Sequence, residues 1–440
     1  MQKKRVTILG AGLVGSLLSI FLKKQGYTVD IFERRGDMRK TDLSAGRSIN
    51  LALSLRGLEA LKAVGLKDKV KEICIPMHGR MIHDAEGKTE LHPYGKQGEY
   101  ISSVSRSTLN EILMTAAEES GVNIHFNHKC ESVDYKNATC LVSNEDSSFT
   151  IESDWVFGAD GAFSALRNSL LKTPGFNYSQ NYISAAYKEL CIPPTKHGEF
   201  AMEPNALHIW PRGEYMLIAL PNLDKSFTCT LFYPRIGRQS FEELTETKDV
   251  IELFEKAFPD TLPLMPTLLE DFFENPTSGL VTVRCSPWVK GKTALIGDAA
   301  HAIVPFYGQG MNAGFEDCFV FDSLVSEHGS INQDMLSAYE SLRKPDADAI
   351  ADLALYNFIE MRDKVADPKF LLQKRIEKEL FERYPKEWIP LYSMVTFSQM
   401  RYSEALSKGM LQQSIMDKVL EQEIEDLESI DFESIINQLH

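Results

Sequence analysis

Three glycines near the amino-terminal end have the spacing of a phosphate-binding turn. The apolar run 6–9 predicts a buried strand that leads directly into Gly10, Gly12 and Gly15, and helix-forming residues follow. Gly10 would permit the tight turn, Gly12 would let the backbone approach a pyrophosphate, and Gly15 would let helix and strand pack closely. A second predicted strand ends on Glu33, whose carboxylate could accept a hydrogen bond from a ribose hydroxyl. The pattern therefore predicts a dinucleotide site.

Two later segments repeat the pattern of a strand that ends in a glycine and an acid. One ends at Asp160 and Gly161, and the other ends at Gly297 and Asp298. The second leads into a glycine-rich turn at 308–310 and a predicted helix. Because the amino-terminal end of a helix carries a positive partial charge, it would stabilise an anionic reduced flavin, and Asp298 could hold a ribityl hydroxyl. These segments change the predicted dinucleotide from NAD to FAD.

The segment 78–95 predicts a β-hairpin whose strands each carry a residue that could bind a carboxylate. If the hairpin is symmetric about Gly87, Arg80 and Tyr94 lie directly opposite one another and share a face. An arginine beside a phenol could hold a carboxylate through a bidentate fork and a hydroxyl donor. A surface arginine–tyrosine pair is the alternative that the spacing leaves open.

Two further polar residues have two interpretations each. Arg47 lies on a polar connection near the first strands and could reach the cofactor, but an ordinary surface arginine explains it equally well. Asn357 interrupts an apolar stripe on a predicted helix. A buried asparagine needs hydrogen-bond partners, so it would either contact a ligand or bridge two helices.

The order of the predicted elements indicates an α/β protein with an inserted sheet. Helices and strands alternate to about residue 178, which is typical of a doubly wound, Rossmann-like fold. Residues 182–233 have the period-two pattern of antiparallel strands. We therefore expect three parts. A discontinuous FAD-binding domain would cover 1–178 and 280–345, a substrate-binding β-sheet domain would cover 179–279, and a C-terminal helical region would cover 346–440. The hairpin would contribute to the substrate site, and the acidic stretch from 412 onward predicts one solvated amphipathic helix.

The composition argues against several classes of protein. The chain has 440 residues, of which 43% are hydrophobic and 25% charged, as in an ordinary globular protein. A formal net charge of −15 argues against binding to nucleic acid or to an anionic membrane surface. No stretch is apolar enough for a membrane span, and the glycine motif argues against an export signal. The scattered cysteines contain no C-x-x-C pair, which predicts reduced thiols in a cytoplasmic protein without a metal site.

Several segments together resemble one group of flavoproteins. They lie at 79–84, 187–190, 206–213, 305–312, 357–362 and 390–397. With the three nucleotide-facing segments, they resemble the single-component aromatic hydroxylases that hold FAD and use NADPH, and within these the kynurenine monooxygenase family. The resemblance runs from the first strand to about residue 403. The glycine motifs are shared by many flavoproteins, whereas the other segments are specific.

The resemblance implies roles for particular residues. The carboxylate region of the substrate would be held by Arg80, Tyr94, Asn357 and Tyr392. The aromatic pocket would be lined by Tyr187, Leu207, Met216, Ile218, Phe232, Pro305 and Phe306. FAD would contact Leu13, Glu33, Arg106, Asp298, Met311 and Asn312, with Arg47 and Ala52 nearby. Tyr307 occupies a position that is histidine or phenylalanine in relatives, so the resemblance implies no polar role for it.

The implied reaction is hydroxylation of L-kynurenine to 3-hydroxykynurenine in tryptophan degradation. NADPH and O₂ would be consumed, and a C4a-hydroperoxide of reduced FAD would deliver the oxygen. No residue would act as acid or base, because the aniline already activates the ring; the chain would position the ring and exclude water. A single phosphate-binding fingerprint implies that NADPH docks transiently. Eukaryotic members end in a membrane anchor, whereas the acidic end of this chain leads us to expect none, in a monomer or homodimer.

Three alternatives remain open from the sequence. A hydroxylase of another arylamine or phenol would keep the flavin segments but would have less use for the set that holds the carboxylate. A flavin-dependent halogenase would need a pocket lysine and a W-x-W-x-I-P run that the chain lacks. A non-enzymatic FAD-fold protein that escorts prenylated proteins would have no reason to keep Asp298 and the Gly-Gln-Gly turn.

Overall fold

The computed structural model describes residues 4–40, 50–96, 98–360, 368–421, 424 and 426–439. The strands are β1 Arg5–Leu9, β2 Thr28–Phe32, β3 Asn50–Leu53, β4 Cys74–Met77, β5 Gly79–His83, β6 Thr89–Pro93, β7 Ile101–Ser105, β8 Asn123–His125, β9 Lys129–Asp134, β10 Thr139–Ser143, β11 Ser148–Glu152, β12 Trp155–Gly158, β13 Asn177–Ile192, β14 Leu207–Arg212, β15 Tyr215–Pro221, β16 Phe227–Pro234, β17 Ser278–Ser286, β18 Val289–Lys290 and β19 Thr293–Leu295.

Helices pack against these strands and form the carboxyl-terminal part. They are α1 Leu13–Lys24, α2 Leu55–Ala63, α3 Lys67–Lys71, α4 Arg106–Glu119, α5 Ala165–Leu170, α6 Thr247–Ala257, α7 Leu268–Glu274, α8 Asp298–His301, α9 Gly310–His328, α10 Gln333–Ile359, α11 Pro368–Arg383, α12 Leu391–Thr396, α13 Tyr402–Val419 and α14 Phe432–Asn437. None of these helices is long and apolar enough to cross a membrane.

A six-stranded sheet with the order β18-β19-β12-β1-β2-β8 forms the base of the first part. The strands from β19 to β8 pair in parallel, and only the β18–β19 pair is antiparallel. Residues 6–9 of β1 are all buried, so both faces of the strand are covered, which is why β1 is an apolar run rather than an alternating one. The predicted α/β class is confirmed.

A seven-stranded sheet with the order β17-β13-β16-β15-β14-β5-β6 forms the second part. Its centre is antiparallel, as the period-two pattern predicted, and β13 pairs with both β16 and β17. The hairpin β5–β6 joins this sheet through a parallel pairing in which Leu207 lies opposite Arg80. One face of the sheet packs on α6 and α7, and the other faces the six-stranded part.

The predicted register of the hairpin is wrong by two residues. Arg80 lies opposite His92, not opposite Tyr94. The turn is centred one residue earlier than Gly87 because the carboxylate of Asp84 accepts hydrogen bonds from the backbone N–H groups of residues 86 and 88, which fixes the loop. Tyr94 is therefore a diagonal neighbour of Arg80 on the same face, close enough for contact between long side chains.

The carboxyl-terminal stretch is not one solvated helix. The chain from 412 completes α13, turns, and ends in α14. Apolar residues of these helices are buried against Ile376, Leu380 and Trp388, so the acidic residues that the structure describes form only the outer face. The predicted domain boundary at 345/346 falls inside α10, which continues through Pro345.

Candidate active site

A cavity of about 870 Å³ separates the six-stranded sheet from the seven-stranded sheet. One end lies at the carboxyl ends of β1, β2 and β12, where open α/β sheets bind their ligands. The other end is walled by β13 to β16 and by the segment that precedes α9. A nucleotide and a second small molecule would therefore share one continuous space.

Most residues predicted for the site line this cavity. On the nucleotide side they are Gly10, Gly12, Leu13, Glu33, Ala52, Arg106, Asp160, Asp298 and Met311. On the substrate side they are Arg80, Tyr187, Leu207, Met216, Ile218, Phe232, Pro305, Phe306 and Tyr392. Gly15, Tyr94, Asn312 and Asn357 do not line it but support residues that do, and Arg47 lies outside the described residues.

The three glycines of the first turn differ in what surrounds them. Gly10 has φ +97°, and a Cβ there would lie 2.7 Å from the carbonyl oxygen of Ala159. A Cβ at Gly15 would lie 2.0 Å from the carbonyl oxygen of Gly10, because α1 starts directly against β1. A Cβ at Gly12 would meet nothing within 4 Å. The space in front of Gly12 is the cavity, which fits a pyrophosphate at the start of α1.

Two acids, Glu33 and Asp160, line the nucleotide end, and they differ in how fully their oxygens are hydrogen-bonded. Glu33 is buried and accepts hydrogen bonds from the backbone N–H of Ala11 at 2.9 Å and from Arg35. These bonds leave part of its acceptor capacity for a ribose hydroxyl. Asp160 accepts from Ala165 through Oδ2, whereas its Oδ1 is buried without a hydrogen-bond partner. Burial raises the pKa of Asp160. An unsatisfied buried oxygen in a cavity wall fits a ligand that donates to it.

Asn312 holds the loops around the flavin end in place. Its side chain is fully buried; Oδ1 accepts from the backbone N–H of Ser54 at 2.9 Å. Its Nδ2 donates to the carbonyl oxygens of Ala52 and Gly308, at 2.8 and 2.9 Å. The side chain therefore ties β3 to the turn that starts α9.

A buried ionic cluster that the sequence did not predict supports the Gly297–Asp298 turn. Asp317 on α9 accepts from the backbone N–H of Gly297 at 3.1 Å, from His301 Nε2 at 2.5 Å and from Arg343 Nε at 2.8 Å. Burial alone would raise the pKa of Asp317, but His301 and Arg343 outweigh burial and lower it. The cluster fixes the strand end that presents Asp298 to the cavity.

Replacement of Asp317 by asparagine should lower the free energy of unfolding by about 2 kcal/mol, because charge-assisted hydrogen bonds are lost in a buried place. The stability that Asp317 contributes is present above its ordinary pKa of 3.8 and is lost as the pH falls, since its pKa is lowered on folding. Urea unfolding at several pH values should therefore show the gap between the two proteins narrowing in acid. Exposed Glu327→Gln on the same helix is the control, and equal stability of Asp317→Asn at neutral pH would contradict the prediction.

Arg80 and two tyrosines, Tyr94 and Tyr392, form a largely buried cationic site at the substrate end. The guanidinium lies 4.4 Å from the ring centre of Tyr392 and 5.7 Å from that of Tyr94, and the two rings stack at 5.5 Å. Burial would lower the pKa of Arg80, but the tyrosines offset this and the net shift is upward. Burial raises the pKa of Tyr94, so its hydroxyl stays a donor. Arg80 Nε and the Tyr94 hydroxyl are buried without a hydrogen-bond partner of normal geometry, as expected for groups that await an anion.

The rest of the substrate end is apolar and aromatic. Phe306 packs against Phe232 and Phe358, with ring centres 5.0 and 4.5 Å apart. Asn357 does not point into the cavity; its Nδ2 donates to the carbonyl oxygen of Phe306 at 2.6 Å. It therefore holds the backbone of the wall, and of its two interpretations, contact with a ligand or a structural bridge, the geometry favours the bridge.

Some lining residues escaped the sequence interpretation. Tyr307 is buried, lines the cavity and stacks on Tyr392 at 5.6 Å, so the tyrosines form a column from the hairpin to the flavin end. Thr228 and Thr230 also line the cavity. Their period-two spacing from Phe232 on β16 could have identified them.

The geometry agrees with comparisons to known proteins. A family model described as "FAD binding domain" matches residues 3–354. A kynurenine 3-monooxygenase of Flavobacterium johnsoniae is 51% identical over 97% of this chain and 95% of its own length. The kynurenine 3-monooxygenase of Sus scrofa is 46% identical over 96% of this chain and 89% of its own. The structure of 2-methyl-3-hydroxypyridine-5-carboxylic acid oxygenase in tetrameric form superposes with a TM-score of 0.69 at 23% identity, covering 84% and 95% of the two chains, which shows a shared fold.

The matching family model and the relatives that cover nearly the whole chain define an FAD-dependent monooxygenase. Within that class, the identity over nearly the whole chain is far above what fold alone requires. The chain belongs to the kynurenine 3-monooxygenase family.

Proposed function

We propose that the protein hydroxylates L-kynurenine at the ring carbon ortho to the amino group. NADPH, a proton and O₂ are consumed, and 3-hydroxykynurenine, NADP⁺ and water are formed. The observation that carries the proposal is the half-buried cation of Arg80, whose Nε is buried and unpaired, at the far end of the cavity that begins at the glycine turn. An aromatic α-amino acid has the matching anion and apolar ring.

FAD would lie along the nucleotide end of the cavity. Gly12 and the start of α1 would receive the pyrophosphate, Glu33 a ribose, and Asp298 with the start of α9 the ribityl chain and the flavin. Leu13, Arg106, Met311 and Ala52 would complete the contacts. The reduced flavin supplies the activation of O₂ that no amino-acid side chain provides.

The residues of the substrate end orient the ring. Arg80 would hold the carboxylate, with hydroxyl donors from Tyr94 and Tyr392, which fixes one end of the substrate. Met216, Ile218, Phe232, Pro305 and Phe306, with Tyr187 and Leu207, would hold the ring by apolar contact. A fixed orientation over the flavin can contribute several kcal/mol to catalysis, and the apolar wall excludes water that would otherwise divert the oxygen to H₂O₂.

Substrate-dependent NADPH oxidation tests the proposal. The purified protein with FAD should oxidise NADPH slowly alone and much faster with kynurenine, with one 3-hydroxykynurenine formed per NADPH. Acceleration by another arylamine or a phenol, but not by kynurenine, would overturn the substrate and keep the class. No acceleration by any of them would favour a binding protein without enzymatic activity.

The cysteines and the sheets support two further parts of the proposal. All seven cysteines are unpaired thiols, which supports a reducing, cytoplasmic setting. We also propose the division of labour expected from the sequence, with 1–178 and 280–345 holding FAD, 179–279 and the hairpin at 78–95 forming the substrate wall, and the helices from 346 closing it. The position of Tyr392 on α12 supports the last role.

A further inference from the structure

Two buried histidines lie directly behind the wall that carries Arg80. His83 is on β5 with Arg80, and His208 is on β14 between Leu207 and Ile209. Because side chains alternate along a strand, Arg80, Leu207 and Ile209 face the cavity while His83 and His208 face away from it. The histidines are 4% and 2% exposed, so neither is solvated like a surface histidine.

The two rings form a continuous hydrogen-bonded chain. His83 Nδ1 lies 2.8 Å from Asp260 Oδ2, and His83 Nε2 lies 2.9 Å from His208 Nδ1. His208 Nε2 lies 2.8 Å from the carbonyl oxygen of Glu203. Trp210 stacks on His83 at 3.9 Å and donates its own N–H to Asp260.

The number of protons in this hydrogen-bonded chain implies one positive charge on the histidine pair. The carbonyl oxygen of Glu203 can only accept, so His208 Nε2 must carry a hydrogen. Asp260 accepts from Trp210 and is a carboxylate, so His83 Nδ1 must also carry one. A third hydrogen must lie between the two rings. Two neutral imidazoles carry one N–H hydrogen each, which makes two, whereas the hydrogen-bonded chain needs three. The pair therefore carries one extra proton.

Asp260 compensates the extra positive charge. Burial would raise the pKa of Asp260, but the hydrogen bonds from His83 and Trp210 outweigh it and lower the pKa. Burial also lowers the pKa of His208, to about 4. The carboxylate of Asp260 lies 2.8 Å from His83 Nδ1, where it can balance a charge shared by the two rings. The other charged groups near the pair are Glu203 and Arg212, whose guanidinium donates to the carbonyl oxygens of His83 and Asp84. The acids Asp84 and Glu86 lie near Arg212.

We propose that His83 and His208 share one extra proton and act as positioning residues that fix β5, and with it the guanidinium of Arg80. The pair ties three segments together, namely β5, β14 and the loop after α6 that carries Asp260. Strand β5 needs this support because only the short, exposed hairpin strand β6 lies beyond it at the edge of the sheet. The proposal rests on the proposed function only for the substrate that Arg80 holds.

The sign of the pH dependence follows from the proton count. The extra proton is bound in the ordered site, so the support is complete at lower pH and is lost as the pH rises and the proton leaves. One of the three hydrogen bonds then has no hydrogen. We expect the KM for kynurenine to rise about tenfold across this alkaline transition, the size expected for one charge-assisted hydrogen bond.

Nitrogen-15 NMR of the unaltered protein tests the proton count without any substrate. In histidine-labelled holoenzyme at neutral pH, three of the four ring nitrogens of His83 and His208 should be protonated, assigned by loss of signals in His83→Gln and His208→Gln. Two protonated nitrogens among the four would overturn the proposal even if the enzyme hydroxylates kynurenine.

A carboxylate-free probe tests the link to Arg80. His83→Gln should bind kynurenine about tenfold more weakly and lose the alkaline rise in KM, whereas its affinity for 2-aminoacetophenone, measured from the flavin absorbance, should be unchanged. Exposed His197→Gln, in the loop before β14, is the matched control and should behave as the unaltered enzyme. Equal weakening of both ligands, or a retained alkaline rise in His83→Gln, would show that the pair does not act through Arg80.

Discussion

Arg80→Ala should raise the KM for kynurenine by about 100-fold or more while FAD remains bound. Arg80 is the cation of the substrate end and its Nε is buried, and the removal of one partner of a buried, hydrogen-bonded charge pair costs about 2–5 kcal/mol. FAD should remain because its contacts lie at the other end of the cavity. The expected effect on kcat is smaller, since the ring wall remains, but the fraction of NADPH that yields H₂O₂ should increase because the ring is less well oriented.

Steady-state kinetics with product analysis would measure these quantities together. Exposed Arg238→Ala, in the turn after β16, removes an arginine that follows a strand of the same sheet, and it should leave the KM unchanged. An unchanged KM in Arg80→Ala would mean that the carboxylate is held elsewhere. A rise in KM accompanied by loss of the flavin would instead mean that Arg80 supports the fold.

The glycine turn and the carboxylate site were predictable to different degrees from the sequence. The local pattern around Gly10, Gly12 and Gly15 determines its own geometry, because a strand, a turn and a helix in succession leave little freedom. The contact between Arg80 and Tyr94 was predicted from an assumed turn centre, and the register was wrong. The contact nevertheless exists, because a shift of two residues keeps both side chains on one face.

The supporting residues could not be found from the sequence for a physical reason. In the sequence Asp317 looks like an ordinary acid on a helix, and its partners His301 and Arg343 lie on two other helices. Only the packed structure shows that the three side chains meet in the protein interior. The same holds for Asp260 and the histidine pair. Asn357 shows a different limit. Its interruption of an apolar stripe was visible in the sequence, but the side chain is only half-buried, and the choice between ligand and backbone partner could not be predicted.

Gly12→Asp should reduce FAD affinity by about 1000-fold without destabilising the protein that lacks FAD. Gly12 is the N-cap of α1 with φ −74° and ψ −177°, a conformation that any residue adopts, and it has no side-chain cap. Aspartate is a favoured N-cap and should add a few tenths of a kcal/mol to the stability of the apoprotein, because glycine is itself a tolerated N-cap. Its carboxylate would stand where the pyrophosphate approaches, and like charges in contact cost several kcal/mol.

Gly12→Asp should therefore weaken FAD binding while it stabilises the apoprotein, so a general loss of folding cannot explain the result. Gly12→Asn separates the effect of the added charge from that of the added volume. Asparagine has the same shape and caps a helix equally well, but it carries no charge, so FAD affinity should fall much less than in Gly12→Asp. Apoprotein melting curves and FAD titration by flavin fluorescence measure both quantities. Gly15→Ala should instead lower the melting temperature, because its Cβ would overlap the carbonyl oxygen of Gly10. If Gly12→Asp bound FAD as the unaltered protein does, the pyrophosphate could not lie at the start of α1.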